Sequence, residues 1–130
     1  MYLSRLLAIA ILVAASSQSM AEGMVFERVA LSGQPKAVWT YRNWNHLCQE
    51  TGGVTKVVSR PQHGRLSNRR ISSPIFNRNN PSDRCAGKST GGLQVIYTSN
   101  PGYRGTDKFM IEKTWKGGGV LVDTFIMTVR

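Results

Sequence analysis

Lys108-Phe109-Met110-Ile111-Glu112-Lys113-Thr114-Trp115, then Lys116-Gly117-Gly118-Gly119, then Val120-Leu121-Val122-Asp123-Thr124-Phe125-Ile126-Met127-Thr128-Val129: this stretch decides the fold of the 130-residue chain. Two runs rich in β-branched and aromatic residues flank a triple glycine, the signature of a β-hairpin. Phe109 alternates with Ile111, and Phe125 with Met127 and Val129, so one face of each run is apolar. Working upstream, Leu93-Gln94-Val95-Ile96-Tyr97-Thr98 is another strand, closed by the turn residues Asn100-Pro101-Gly102.

The same rhythm runs through the rest of the chain. Residues 25–31, 37–41 and 54–59 read as strands, the last stopped by Pro61, and residues 63–67 and 71–76 as a fourth and fifth. No segment of ten or more residues after the N-terminal run has a clean helical period. About seven short strands at spacings of roughly ten residues predict an all-β domain, an Ig-like antiparallel β-sandwich. A closed barrel shares that strand count. The alternation places Val57, Leu66, Val95, Tyr97, Phe109, Ile111, Phe125 and Met127 in the core. Residues 68–92 are too polar for a core and read as a long loop or irregular excursion.

The N-terminus reads differently. Met1 to Ala21 carries one cation, Arg5, an apolar run over residues 6–15, and small residues ending Ser19-Met20-Ala21. That order is a secretory signal peptide cut between Ala21 and Glu22. The apolar run is about half the roughly 20 residues a membrane-spanning helix needs, which argues against a retained anchor. The expected mature domain is residues 22–130, periplasmic or secreted. Loss of Arg5 takes its charge from 17 basic and 7 acidic residues to 16 and 7, still strongly positive. Its size leaves no room for a second, cofactor-binding domain.

Export makes the cysteines informative. Cys48 and Cys85 are the only two, and an even count in an oxidising compartment reads as one disulfide, worth about 4 kcal/mol in the chain-entropy account. With His46 and His63 they lack the close paired spacing of a zinc site, so no metal is expected. Gly87-Lys88-Ser89-Thr90 resembles the end of a phosphate-binding loop, but Ser82 stands where its first glycine belongs. There is no G-x-S-x-G nucleophile elbow and no close carboxylate pair. Asp83, Asp107, Glu112 and Asp123 stand isolated among cations, which argues against a strong calcium site. The sequence therefore predicts neither a cofactor nor an enzyme.

Pro61-Gln62-His63-Gly64-Arg65-Leu66, with Tyr97-Thr98-Ser99-Asn100-Pro101-Gly102-Tyr103-Arg104-Gly105-Thr106-Asp107-Lys108-Phe109, resembles bacterial Ig-like and cadherin-like modules. Those modules repeat a P-x-H-G pattern, then Y-x-P-x-x-x-[FY]-x-G-x-D-x-F, then a final strand of alternating Val. The match covers about residues 54–130. Ser99 stands where the pattern has Pro, residues 69–92 look inserted, and one module is present where the family is tandem. The resemblance implies a sandwich that binds or spaces, without catalysis. In it Gly64 and Gly105 suit turns that need φ > 0 or close approach. Asp107 is placed to accept N–H groups of its own turn, and His63 reads as a hydrogen-bonded turn residue.

Charge supplies the functional signal. Lys56, Arg60, Arg65, Arg69, Arg70, Arg78, Arg84 and Lys88 fall in one segment with Asp83 as the single acid. Six of the eight are Arg, whose planar fork pairs bidentately with phosphate and carboxylate. These eight form the candidate anion-binding site. Its expected partners are an anionic polysaccharide, lipopolysaccharide, extracellular DNA or a partner protein. Trp39, Tyr41, Trp44 and His46 could add a stacking face, with at least one Trp assigned to the core. The alternative is a structural or adhesive envelope protein whose charge has no dedicated ligand.

Overall fold

A computed structural model describes residues 21–76, 79–80 and 82–130. The expected signal peptide lies outside them except for Ala21, which opens the first strand, and Arg78 lies outside them too. The described chain is all-β: β1 (Ala21–Ala30), β2 (Pro35–Tyr41), β3 (Gly53–Ser59), β4 (Gly64–Pro74), β5 (Ser89–Ser99), β6 (Gly105–Trp115) and β7 (Val120–Val129). They form a four-stranded sheet, β1-β7-β6-β3, and a three-stranded sheet, β2-β5-β4. Two separate sheets exclude the closed barrel.

The β6–β7 hairpin forms as its sequence dictates. Gly117 and Gly118 take φ of 116° and 96°, values that L side chains resist, and Trp115 N–H bonds the Gly119 carbonyl at 2.9 Å. The apolar faces of both sheets meet in a core of Phe26, Val38, Val95, Tyr97, Phe109, Ile111, Phe125 and Met127. An aromatic stack runs through it: Tyr97 to Phe109 at 5.9 Å, Phe109 to Phe125 at 4.8 Å, Phe125 to Phe26 at 5.0 Å, and Phe26 to Trp39 at 4.3 Å. Each buried Phe is worth about 1.5–3 kcal/mol by removal from water. The stack thus contributes several kcal/mol to the core, alongside the aliphatic residues packed around it.

Several details depart from the sequence reading. The strands expected at 63–67 and 71–76 are one strand, β4 (Gly64–Pro74), because polar Asn68-Arg69-Arg70 pairs in register with Val95-Gln94-Leu93 of β5. Such a polar run survives in a strand because β4 lies at a sheet edge, where both faces reach solvent. The irregular excursion shrinks accordingly to residues 75–88. β1 pairs with β7 in parallel, so that sheet is mixed rather than purely antiparallel. Val57 is 37% exposed: it pairs with buried Ile111 and so faces the core side, but its strand lies at the sheet edge and leaves it lining an open cleft rather than closed in the core. Leu66 is half-buried against the core.

Cys48 and Cys85 are joined, with Cα atoms 5.3 Å apart. The bridge ties the excursion to the loop between β2 and β3. Arg84 strengthens that tie by donating to the His46 carbonyl at 3.0 Å.

Candidate functional site

The two sheets differ first in their acids. Strands β2, β4 and β5 contain Lys36, Arg65, Arg69 and Arg70 and no Asp or Glu. Strands β1, β3, β6 and β7 contain five acids and four cations. The positive excess within the strands thus sits wholly on the three-stranded sheet.

Strand alternation sorts the cations of β4. Arg65 and Arg69 share the outer face with Ser67, whereas Arg70 shares the inner face with Leu66. Arg69 Nε donates to Gln94 Oε1 on the neighbouring strand at 2.8 Å, which fixes its guanidinium on that outer surface. Arg70 instead forms an ion pair with Glu50, at 2.5 and 2.6 Å to its two oxygens, and is neutralised there.

Arg42, which follows β2, completes the outer face. It lies across Gly92 of β5, where a Cβ would come within 2.4 Å of the Arg42 Cγ, and donates to Ser73 Oγ at 2.6 Å. Gly92 is what lets that guanidinium stem cross the sheet. Beside it, Trp39, Thr40, Arg42, Trp44 and Gln94 line an open depression of about 450 Å³. Two indoles, one guanidinium and an amide thus border one shallow basin on a sheet without acids. Such a basin can stack a sugar ring or base and pair an anionic substituent.

The eight candidate cations do not form one cluster. Arg65 and Arg69 lie on the outer face described above. Lys56 and Arg60 line a separate cleft of about 100 Å³ between the edges of β3 and β4, floored by Leu66, Val95 and Ile111. Arg70 is paired, and Arg84 serves the excursion. Lys88 is exposed beside β5, and Arg78 falls outside the described residues. Sequence reasoning omitted Arg42 and Gln94 because it read charge density along the chain. The available signal was Gly91-Gly92 inside a strand, which marks close approach by another group.

Two of the five acids of the four-stranded sheet, Asp107 and Asp123, are buried and serve structure. Asp107 accepts Gln62 N–H and His63 N–H at 3.0 Å each, Lys108 N–H at 2.9 Å and the Tyr97 hydroxyl at 2.8 Å. Only the Lys108 bond belongs to its own strand; the others fasten the β3–β4 turn and β5 to β6. Gly64 follows because a Cβ there would meet the Thr98 carbonyl at 2.6 Å. The His63 ring stacks on Tyr103 at 4.0 Å. Burial and the Asp107 hydrogen bond push the Tyr97 hydroxyl pKa well up.

Asp123 is the counterpart at the far end, accepting Met24 N–H at 2.9 Å and the Tyr41 hydroxyl at 2.8 Å. Burial and then Asp123 push the Tyr41 pKa up. Lys113, two residues along on the paired strand, is 8% exposed. Its ammonium lies 5.3 Å from the Tyr41 ring, 4.9 Å from the Trp115 ring and 3.4 Å from Asn43 Oδ1. Desolvation pushes its pKa down, against the pull of Asp123. Tyr41 is therefore core rather than a stacking residue, whereas Trp39 is half-buried, packing on Phe26 while it borders the basin. Among the described residues, no group of three or more His, Cys, Asp or Glu is placed to hold a metal.

No family model matches the chain, and no curated protein matches it. Among solved structures, the solution structure of Amebosin is similar at 15% identity and a TM-score of 0.43, over 82% of this chain and 97% of that one.

Proposed function

We propose that this protein is an exported, non-catalytic binding module of Ig-like type that holds an anionic polysaccharide, such as the sugar-phosphate part of lipopolysaccharide, on its three-stranded sheet. The observation that carries the reading is the outer face of β2-β5-β4, where, among the described residues, Arg65, Arg69 and Arg42 stand without an acid beside the Trp44 basin. The disulfide suits an oxidising compartment. The partition of strands, with β2, β5 and β4 in one sheet and β3, β6 and β7 in the other, supports the Ig-like assignment.

Titration with a sulfated polysaccharide and with neutral dextran, over a series of salt concentrations, tests this function. The sulfated chain should bind and dextran should not. Arg65→Ala with Arg69→Ala should flatten the slope of log affinity against log salt by roughly one unit for each arginine that no longer reaches a sulfate. Lys108→Ala with Lys116→Ala, at exposed positions outside that sheet, should change it little. Lys113 cannot serve as that control, because it is buried. Equal weakening by both pairs would favour the structural reading, in which charge acts only as a diffuse field.

A further inference from the structure

Each sheet ends in two edge strands, giving β1, β3, β2 and β4. A free edge presents unpaired N–H and C=O groups, and natural sheets defend it with bulges, lysines or prolines. Three of these edges are so defended. The pairing of β1 shifts register between Glu22 and Val25, that of β2 between Ala37 and Trp39, and that of β3 between Val57 and Ser59. β2 also begins with Pro35, and β3 carries Lys56. The β1 and β2 edges further lie against each other, through Phe26 on Trp39 and Arg28 Nε on the Val38 carbonyl at 3.1 Å.

β4 is the exception. It pairs with β5 over eleven consecutive positions, Gly64 to Pro74, with no register shift. Its middle, Ser67-Asn68-Arg69-Arg70, is exposed at every residue, and its proline comes only at the far end. We infer that the straight β4 edge accepts an extended acidic segment of a partner protein as an added antiparallel strand. This goes beyond polysaccharide binding and commits to a polypeptide partner.

Charge selects that occupant. Directly opposed cross-strand residues interact, favourably when opposite in charge and unfavourably when alike. A second copy of this chain would set Arg65 and Arg69 against the same arginines of its partner, so self-pairing is opposed. A segment with carboxylates four residues apart on one face would meet Arg65 and Arg69 together, with a small residue facing Ser67. Backbone hydrogen bonds then supply affinity and the two ion pairs supply register. Arg70 stays with Glu50 on the other face and plays no part.

The test uses the full mature chain and a synthetic peptide of about ten residues, with two Glu four apart among Val and Thr. A second peptide has the same sequence but is N-methylated at every other residue, which keeps its charge and removes its strand-pairing donors. The plain peptide should bind, perturb the amides of residues 65–70, and slow their hydrogen exchange. N-methylation should weaken binding at least about tenfold, which corresponds to about 1.4 kcal/mol. Arg65→Glu with Arg69→Glu should abolish binding of the Glu peptide and gain binding of its Lys counterpart, which shows that the variant is folded. Equal binding of the two peptides would overturn strand addition, leaving attraction by charge alone. So would perturbation centred on β1, β2 or β3, or dimerisation of the protein through β4. Binding of the sulfated polysaccharide without the peptide would overturn this inference and leave the proposed function standing. The peptide without the polysaccharide would do the reverse.

Discussion

The four-stranded sheet holds Glu22, Glu27, Asp107, Glu112 and Asp123 beside four cations, whereas the three-stranded sheet holds four cations and no acid. The two sheets share one core, so packing does not explain the difference. In the first sheet, buried carboxylates collect backbone N–H groups and tyrosine hydroxyls and so fasten turns and strands. In the second, structural bonds are made mostly by neutral groups and by arginines reaching carbonyls, hydroxyls and amides, leaving its outer face positive. One sheet uses charge to hold the fold, and the other displays it.

The largest effect should come from removing a fastening acid. Asp107→Ala strands four donors and should cost about 3–5 kcal/mol in urea unfolding. Asp123→Ala strands two and should cost about 1–3 kcal/mol in the same measurement. If both cost nothing, the acids of the four-stranded sheet are not fasteners and the contrast collapses.

Alkaline titration sharpens the same point with smaller effects. The folded state resists protonating Lys113, so the unfolded chain binds the extra proton as pH falls below 10.5. Stability should therefore rise with pH as the value approaches 10.5, and Lys113→Met should flatten that rise while leaving the neutral-pH stability unchanged or up to about 1 kcal/mol higher. Tyr97 and Tyr41 act in the opposite sense. Their raised pKa values mean that the unfolded chain loses those protons first above pH 10, so stability should fall there. Tyr97→Phe should reduce that fall in chemical-denaturation curves taken between about pH 10 and 11.

Much of this was legible in the sequence. The alternation of Phe109 with Ile111 and of Phe125 with Met127 located the core face of the hairpin, and the two cysteines located the bridge. Local pattern suffices where residue period and burial coincide. It failed over residues 68–70, because an edge strand can be polar on both faces and then has no period to read. It failed at Lys113, since nothing adjacent in the chain announces a cage built from Tyr41, Trp115 and Asn43. The basic segment was visible as composition, but its division among an outer face, a cleft and a pair with Glu50 depends on strand pairing. Arg42 joined the face only through Gly92.

The most direct test of the division between the sheets is an amide chemical-shift map of the ¹⁵N-labelled protein, titrated with sulfated polysaccharide at physiological salt. Shifts should concentrate on the outer face of the three-stranded sheet, at Arg65, Ser67, Arg69, Gln94 and Arg42, with the Trp44 indole moving alongside them. The β6–β7 hairpin should stay still. Shifts spread evenly over both sheets, or centred on β6 and β7, would contradict the account.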